Sequence, residues 1–158
     1  VGSSEGQYDS GRGEVEDLGA AVSWLRDVVA GVPLFIVGYS FGALCGIRHA
    51  IDDPKIAGLI AIGLPPRSYD LTEIEQLPCP MAVVQGSRDE FGSLEEVRSA
   101  LRRAPTTAEL RVIRGSGHMF TDTARRAGGA VVESVESMLG RVERIEPDNG
   151  SELASADQ

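Results

Sequence analysis

Long apolar runs, basic excess and cysteine are all scarce in this 158-residue chain, and each scarcity removes a class of function. No apolar stretch approaches the roughly 20 residues that a membrane-spanning helix needs, and the start shows no charged-then-apolar signal pattern. With 15 Lys and Arg against 24 Asp and Glu the net charge is −9, so a phosphate backbone is repelled. No basic patch interleaved with aromatics offsets this. The chain therefore reads as a cytoplasmic protein that holds neither nucleic acid nor membrane. Its two cysteines, Cys45 and Cys79, have no C-x-x-C spacing, and only two histidines accompany them, which excludes the common zinc patterns and a disulfide framework. Both thiols are expected to be free and buried, and no metal or cofactor is expected. Asn149-Gly150-Ser151 fits a glycosylation pattern that matters only in a secreted protein.

An apolar fraction of 42% and a charged fraction of 25% are those of an ordinary globular protein, long enough for one domain with a real core. In order, the pattern predicts a helix from about Glu14 with Val15, Leu18, Val22 and Leu25 inward, closed by Gly31 and Pro33. A strand Leu34 to Val37 and a helix through about Ala50 follow, then a strand Ile56 to Gly63, a short helix near Leu71 to Gln76 and a strand Met81 to Gln85. A helix from Ser93, a strand Glu109 to Ile113 and a helix Ala124 to Val142 burying Val131, Val135, Met138 and Leu139 complete the series. The tail 146–158 is polar and acidic and is expected to be disordered. Apolar strands alternating with helices imply an α/β fold, a parallel β-sheet with helices on both faces.

The stretch Ile36-Val37-Gly38-Tyr39-Ser40-Phe41-Gly42-Ala43 organises the rest. A buried strand runs into G-x-S-x-G and then into a helix rich in small residues, the setting of a nucleophile elbow. A serine on so sharp a turn is strained, so the positions two residues either side are expected to exclude a Cβ. Ser40 would project its hydroxyl, and the Phe41 N–H at the helix start would meet a developing oxyanion. The competing reading is a plain glycine-rich turn.

Ser40, Asp89 and His118 each follow the carboxyl end of a different predicted strand, and a parallel sheet brings all three to one edge. The types fit acyl transfer: a hydroxyl to attack, an imidazole to take and return its proton, and a carboxylate to hold the imidazole's tautomer. For His118, Gly115 and Gly117 are expected to let a flexible loop swing the ring over the edge; the bland alternative is a polar residue in a turn. For Asp89 the alternative is a turn or cap residue, with Glu90 the nearest substitute. His49 lies along the helix that Ser40 begins, about 13 Å away at 1.5 Å per residue, and is expected on the helix surface. Tyr39, Phe41, Tyr69, Met119 and Phe120 are candidates to line an acyl pocket, and the short Leu64 to Cys79 connection leaves room only for a small lid.

On G-Y-S-F-G-A, G-S-R-D and G-S-G-H-M-F, in that order, the chain resembles the carboxyl-terminal two thirds of an α/β-hydrolase. The S-E-G-Q-Y-D opening is similar to that of small bacterial serine hydrolases of the dienelactone-hydrolase kind. The resemblance, covering roughly Gly2 to Leu139, implies Ser40 as nucleophile, His118 as base and Asp89 as acid, acting on small carboxylic esters or thioesters. It implies a single hydrolase-like domain over 1–145. Family members carry strands before this opening, one followed by a loop that supplies a second oxyanion donor. The chain thus reads as amino-terminally truncated, with weak activity expected, since one lost donor costs about 2.7 to 4 kcal/mol in the transition state. The strand at 34–37 would then be an exposed edge open to self-association. Two further readings stay open: a non-catalytic binding module on the same scaffold, and an inactive fragment.

Overall fold

The computed structural model describes residues 10–142; the opening run 1–9 and the acidic tail at 146–158 lie outside the described residues. The elements are α1 (Arg12–Val28), β1 (Leu34–Tyr39), α2 (Phe41–Asp52), β2 (Ile56–Ile62), a 3-10 turn (Thr72–Gln76), β3 (Met81–Gly86), α3 (Leu94–Leu101), β4 (Ala108–Ile113) and α4 (Ala124–Val142). The four strands form one parallel sheet in the order β1-β2-β3-β4. Each crossover carries its helix or turn back to the amino edge, so all four strands release their chain at the same carboxyl edge.

Strand alternation divides the interior in two. Leu59, Ala61, Met81 and Val83 point to one face and pack with Leu44 and Ile47 of α2, Ile74 of the 3-10 turn and Val97 of α3. Ile60, Ala82 and Val84 point to the other and pack with Ala127, Ala130 and Met138 of α4. The central strands β2 and β3 are buried on both faces, which is why their sequences are continuous apolar runs rather than alternating ones. The Leu64 to Cys79 connection is not a lid: Leu71, Ile74 and Leu77 are core residues under α2.

Several details differ from the periodic reading. On α4 the inward line is Ala127, Ala130, Ser134 and Met138, with Val131 and Val135 only flanking it, because small residues let the helix lie close to the sheet. The hydroxyl of Ser134 is satisfied by donating to the Ala130 carbonyl at 2.7 Å. On α1 only Val22 is buried and Leu25 is exposed, since the helix packs on α2 along a single line; Trp24, Val28 and Val29 are open as well. His49 is not on the helix surface. It lies under Gly19 of α1 with its side chain 12% exposed, and its Nε2 is a buried nitrogen without a hydrogen-bond partner, 3.6 Å from Asp53 Oδ2. Arg26 of α1 clamps the same carboxylate through two hydrogen bonds of 2.5 and 3.0 Å, which holds Asp53 below its ordinary pKa. Cys45 and Cys79 are free and buried, and burial pushes the Cys79 thiol up to about 11.

The edges differ in character. On β4, Arg111 pairs with Glu109 and Glu133, and Arg141 of α4 reaches Glu109. Among the described residues β1 pairs on one side only, and Val37 and Tyr39 are 50% and 40% exposed.

A Cβ at Gly38 would fall 2.4 Å from the backbone oxygen of Gly42, with no flexible side chain to yield. Gly38→Ala is expected to lower unfolding stability by about 3 kcal/mol or more in a denaturant titration. At α3, Ser93 and Glu96 form a capping box and Arg67 pairs with Glu96 at 3.0 Å, so Glu96 is pulled from 4.5 to about 2. A depressed carboxylate stabilises the fold fully above pH 4.5 and loses that contribution as the pH falls toward 2. Glu96→Gln should accordingly show a shallower fall in melting temperature across that interval.

Candidate active site

The site begins with a turn that only its surroundings can hold. β1 ends at Tyr39, α2 begins at Phe41, and Ser40 between them has φ 52° and ψ −114°, outside the regions a side-chain-bearing residue favours. The Ser40 N–H donates to the Ile62 carbonyl at 2.8 Å, which anchors the turn to the end of β2. The glycine requirement is one-sided. Gly38 must be bare because α2 folds directly over it, whereas a Cβ at Gly42 would meet nothing within 4 Å. Serine is a favoured helix cap, yet the Ser40 side chain makes no capping bond. Its Oγ lies 2.9 Å from Nε2 of His118.

His118 comes from the loop after β4, and that loop is pinned rather than free to swing. The Gly115 N–H donates to Ser87 Oγ at 2.9 Å and the Arg88 N–H to the Ser116 carbonyl at 2.8 Å, so it is laced to the turn after β3. Gly86 makes the lacing possible, since a Cβ there would lie 2.5 Å from the Ser116 oxygen. The Ser116 and Thr123 hydroxyls bond at 2.7 Å, and the Tyr39 hydroxyl donates to the His118 carbonyl at 2.9 Å. The imidazole lies between the rings of Tyr39, 5.5 Å away and near-parallel, and Phe91, 4.6 Å away. Beneath it is Gly63, at φ +60°, where a Cβ would come within 3.1 Å of the ring.

Asp89 faces the other ring nitrogen, its two oxygens 2.9 and 3.1 Å from Nδ1. The carboxylate also accepts from the Phe91 N–H at 2.9 Å and from Nε2 of Gln85 at 3.0 Å. A carboxylate only accepts, so Nδ1 carries the proton and the Nε2 lone pair faces the Ser40 hydroxyl. Both side chains of the His118–Asp89 pair are buried, 7% and 0% exposed. Glu90 takes a different place: its carboxylate accepts the backbone N–H of His118 at 3.3 Å. Hydrogen bonds to backbone N–H groups hold Glu90 below its ordinary pKa. Burial, with the charges of Asp89 and Glu90, raises that of Tyr39.

The residues expected to line a pocket divide. Tyr39 is beside the imidazole, and Met119, 70% exposed, has its sulfur 3.5 Å from the Tyr39 hydroxyl. Phe120 is 5% exposed, packed in the α4-side core with its ring edge toward Tyr39. Tyr69 packs on Phe41, 6.1 Å between ring centres, and both join the α2-side core. A surface hollow of 730 Å³ bordered by Ser10, Arg12, Arg48 and Glu73 includes none of these residues. Sequence reasoning missed Gly63, Gln85 and Phe91 as parts of the site. The signal for Gln85 was a lone amide closing the apolar run of β3, and Phe91 stood next to the Asp-Glu pair without a chemical role. Among the described residues no cluster of three or more His, Cys, Asp or Glu could hold a metal ion, and no helix is long and apolar enough to cross a membrane.

A parallel sheet with helices on both faces and a hydroxyl, imidazole and carboxylate in contact at its carboxyl edge describe a known class of fold. A family model described as an alpha/beta hydrolase domain matches residues 14–145, and the chain belongs to that family. An uncharacterized protein of Rickettsia prowazekii is 31% identical over 129 residues, covering 76% of this chain and 54% of that protein. An alpha-beta serine hydrolase homologue from Coxiella burnetii superposes with a TM-score of 0.77 at 31% identity, covering 85% of this chain and 64% of the other. A serine hydrolase without lid from Xanthomonas campestris gives 0.69 at 27% identity, covering 93% and 63%. The chain thus spans about half the length of the curated relative and under two thirds of these two structures.

The positive φ of Ser40 separates two otherwise similar substitutions. Ser40→Gly is expected to unfold about 1 kcal/mol less readily than Ser40→Ala, since both lose the hydroxyl but only glycine relaxes at this φ. Equilibrium denaturation of the two variants measures the difference.

Proposed function

We propose that the protein is a serine hydrolase that cleaves small carboxylic esters or thioesters through an acyl-enzyme. The observation that carries this reading is the unbroken chain of contacts from Ser40 Oγ to His118 Nε2 at 2.9 Å and from His118 Nδ1 to Asp89 Oδ2 at 2.9 Å. In the first half-reaction Ser40 Oγ bonds to the substrate's carbonyl carbon while its proton passes to Nε2. The imidazolium so formed is held by the Asp89 carboxylate, which keeps its own charge. The carbonyl oxygen becomes an oxyanion at the start of α2, where the Phe41 N–H is the proposed donor. Collapse of the adduct breaks the bond to the leaving alcohol or thiol, which takes the proton from Nε2. Water then repeats the sequence on the acyl group, giving the free acid and restoring the Ser40 hydroxyl.

The Coxiella and Xanthomonas proteins, both described as serine hydrolases or homologues of them, support the reaction class. Among the described residues, the exposed side chains of Tyr39, Phe91 and Met119 beside the buried imidazole support a small acyl group.

A fluorophosphonate probe reports on an activated serine without knowledge of the natural substrate. The protein is expected to be labelled at Ser40, with labelling abolished in Ser40→Ala and reduced at least about 100-fold in His118→Ala. Peptide mapping of the labelled chain reads the outcome. No modification of Ser40, under conditions that modify a control hydrolase, would leave the non-catalytic binding module and the inactive fragment as the better accounts.

A further inference from the structure

Gln85 is the penultimate residue of β3, wholly buried, and the only polar side chain among Met81 to Gln85. A buried amide needs partners for one acceptor and two donor hydrogens. Its Oε1 accepts the Leu64 N–H at 2.8 Å, and its Nε2 lies within bonding distance of the Leu64 carbonyl at 3.2 Å, Asp89 Oδ2 at 3.0 Å and the Gly92 carbonyl at 3.0 Å. The orientation of the amide is unambiguous, because the Leu64 N–H can only donate and the other three groups can only accept. Three acceptors therefore share two hydrogens, and no donor is left over.

What these partners have in common is the site. Leu64 follows Gly63, the bare residue against which the imidazole lies. Asp89 is the carboxylate on the imidazole, and Gly92 closes the turn that carries both Asp89 and the ring of Phe91. Leu64 and Gly92 by themselves would satisfy the acceptor and both hydrogens of a residue that merely fills the core, so the further contact with Asp89 is not needed for burial. We propose that Gln85 is a positioning residue: its amide fixes the plane of the Asp89 carboxylate and the Gly63 floor together, and so sets the angle at which His118 meets Ser40. The proposal rests on the reading of Ser40, His118 and Asp89 as the reacting groups. Without the Gln85 donor, the Phe91 N–H holds Oδ1 and nothing but the imidazole itself holds Oδ2, so no group independent of His118 fixes the plane of the carboxylate. The Nδ1 proton then faces an acceptor that can shift with it, and the aim of the Nε2 lone pair loosens.

The test compares the protein with Gln85→Met, which keeps the volume and removes both the donors and the acceptor of the Leu64 N–H, and with Gln85→Asn, which keeps an amide but withdraws it from Asp89. Folding is checked by thermal melting. Fluorophosphonate labelling of Ser40 is measured as a function of probe concentration, separating the maximal rate from half-saturation. The chain is also labelled with ¹⁵N-histidine so that the ring Nδ1–H of His118 is seen by NMR, His49 being the only other histidine. The expected result is a folded variant whose maximal labelling rate falls about 10-fold or more with half-saturation within about twofold, and whose Nδ1–H signal is lost to exchange with water. A folded variant with that signal and the labelling rate intact overturns the proposal. So does a loss of rate and probe affinity together with the signal unchanged, and so does failure of both variants to fold, which would make Gln85 a core residue only. Should the unaltered protein take no probe at Ser40, the hydrolase reading falls by itself, and the ring signal alone decides whether Gln85 orients His118.

Discussion

A carboxylate buried away from solvent has to be matched by donors, and that requirement governs the arrangement around Asp89. Its side chain is wholly covered, and three groups answer it: the Phe91 N–H, the Gln85 amide and the imidazole of His118. Each comes from a different kind of constraint. The first is backbone in the same turn, the second is a side chain fixed inside β3, and the third arrives from the next strand. Removing one partner from such a group exposes a desolvation cost, so the three are mutually enforcing rather than additive. The imidazole is thus placed by what the carboxylate needs as much as by its own loop.

The same economy explains where strain is tolerated. Ser40 occupies a backbone conformation that costs on the order of 1 to 3 kcal/mol, and it forgoes the capping bond its side chain could make. The sheet supplies the compensation: the Ser40 N–H is tied to β2, and α2 closes over Gly38 on a core of Leu44, Ile47 and Leu59. A loop of glycines that looked mobile in the sequence is held by side-chain and backbone bonds from Ser87, Arg88, Thr123 and Tyr39. Rigidity here is a property of neighbours, not of the residues in the loop.

The strands, their parallel order and the meeting of Ser40, Asp89 and His118 were legible because they depend on patterns local in the chain. Buried parallel strands are apolar runs, and their carboxyl ends share an edge by topology. The misreadings share a cause as well. Leu25 and Val131 have the right spacing for burial, but which line of a helix faces inward depends on how closely the helix can approach, and small residues such as Ala127 and Ala130 decide that. His49 was placed on a surface because helix periodicity says nothing of a second helix lying on the first, where Gly19 opens the space. Gln85 and Gly63 carry no chemistry of their own, and their part in the site exists only once three separated segments are side by side.

Adjacent strands lie roughly 4.8 Å apart, so β1, which leads into Ser40, and β3, which leads into the turn of Asp89, stand roughly 10 Å from one another across β2. One five-membered ring together with its two hydrogen bonds of 2.9 Å closes most of that gap, reaching back from the outermost strand over the end of the intervening one. The sheet is in this sense a ruler, and Gly63 is the mark at which nothing protrudes. A change of strand order, or one side chain raised at that mark, would leave every chemical group present and the span between them wrong.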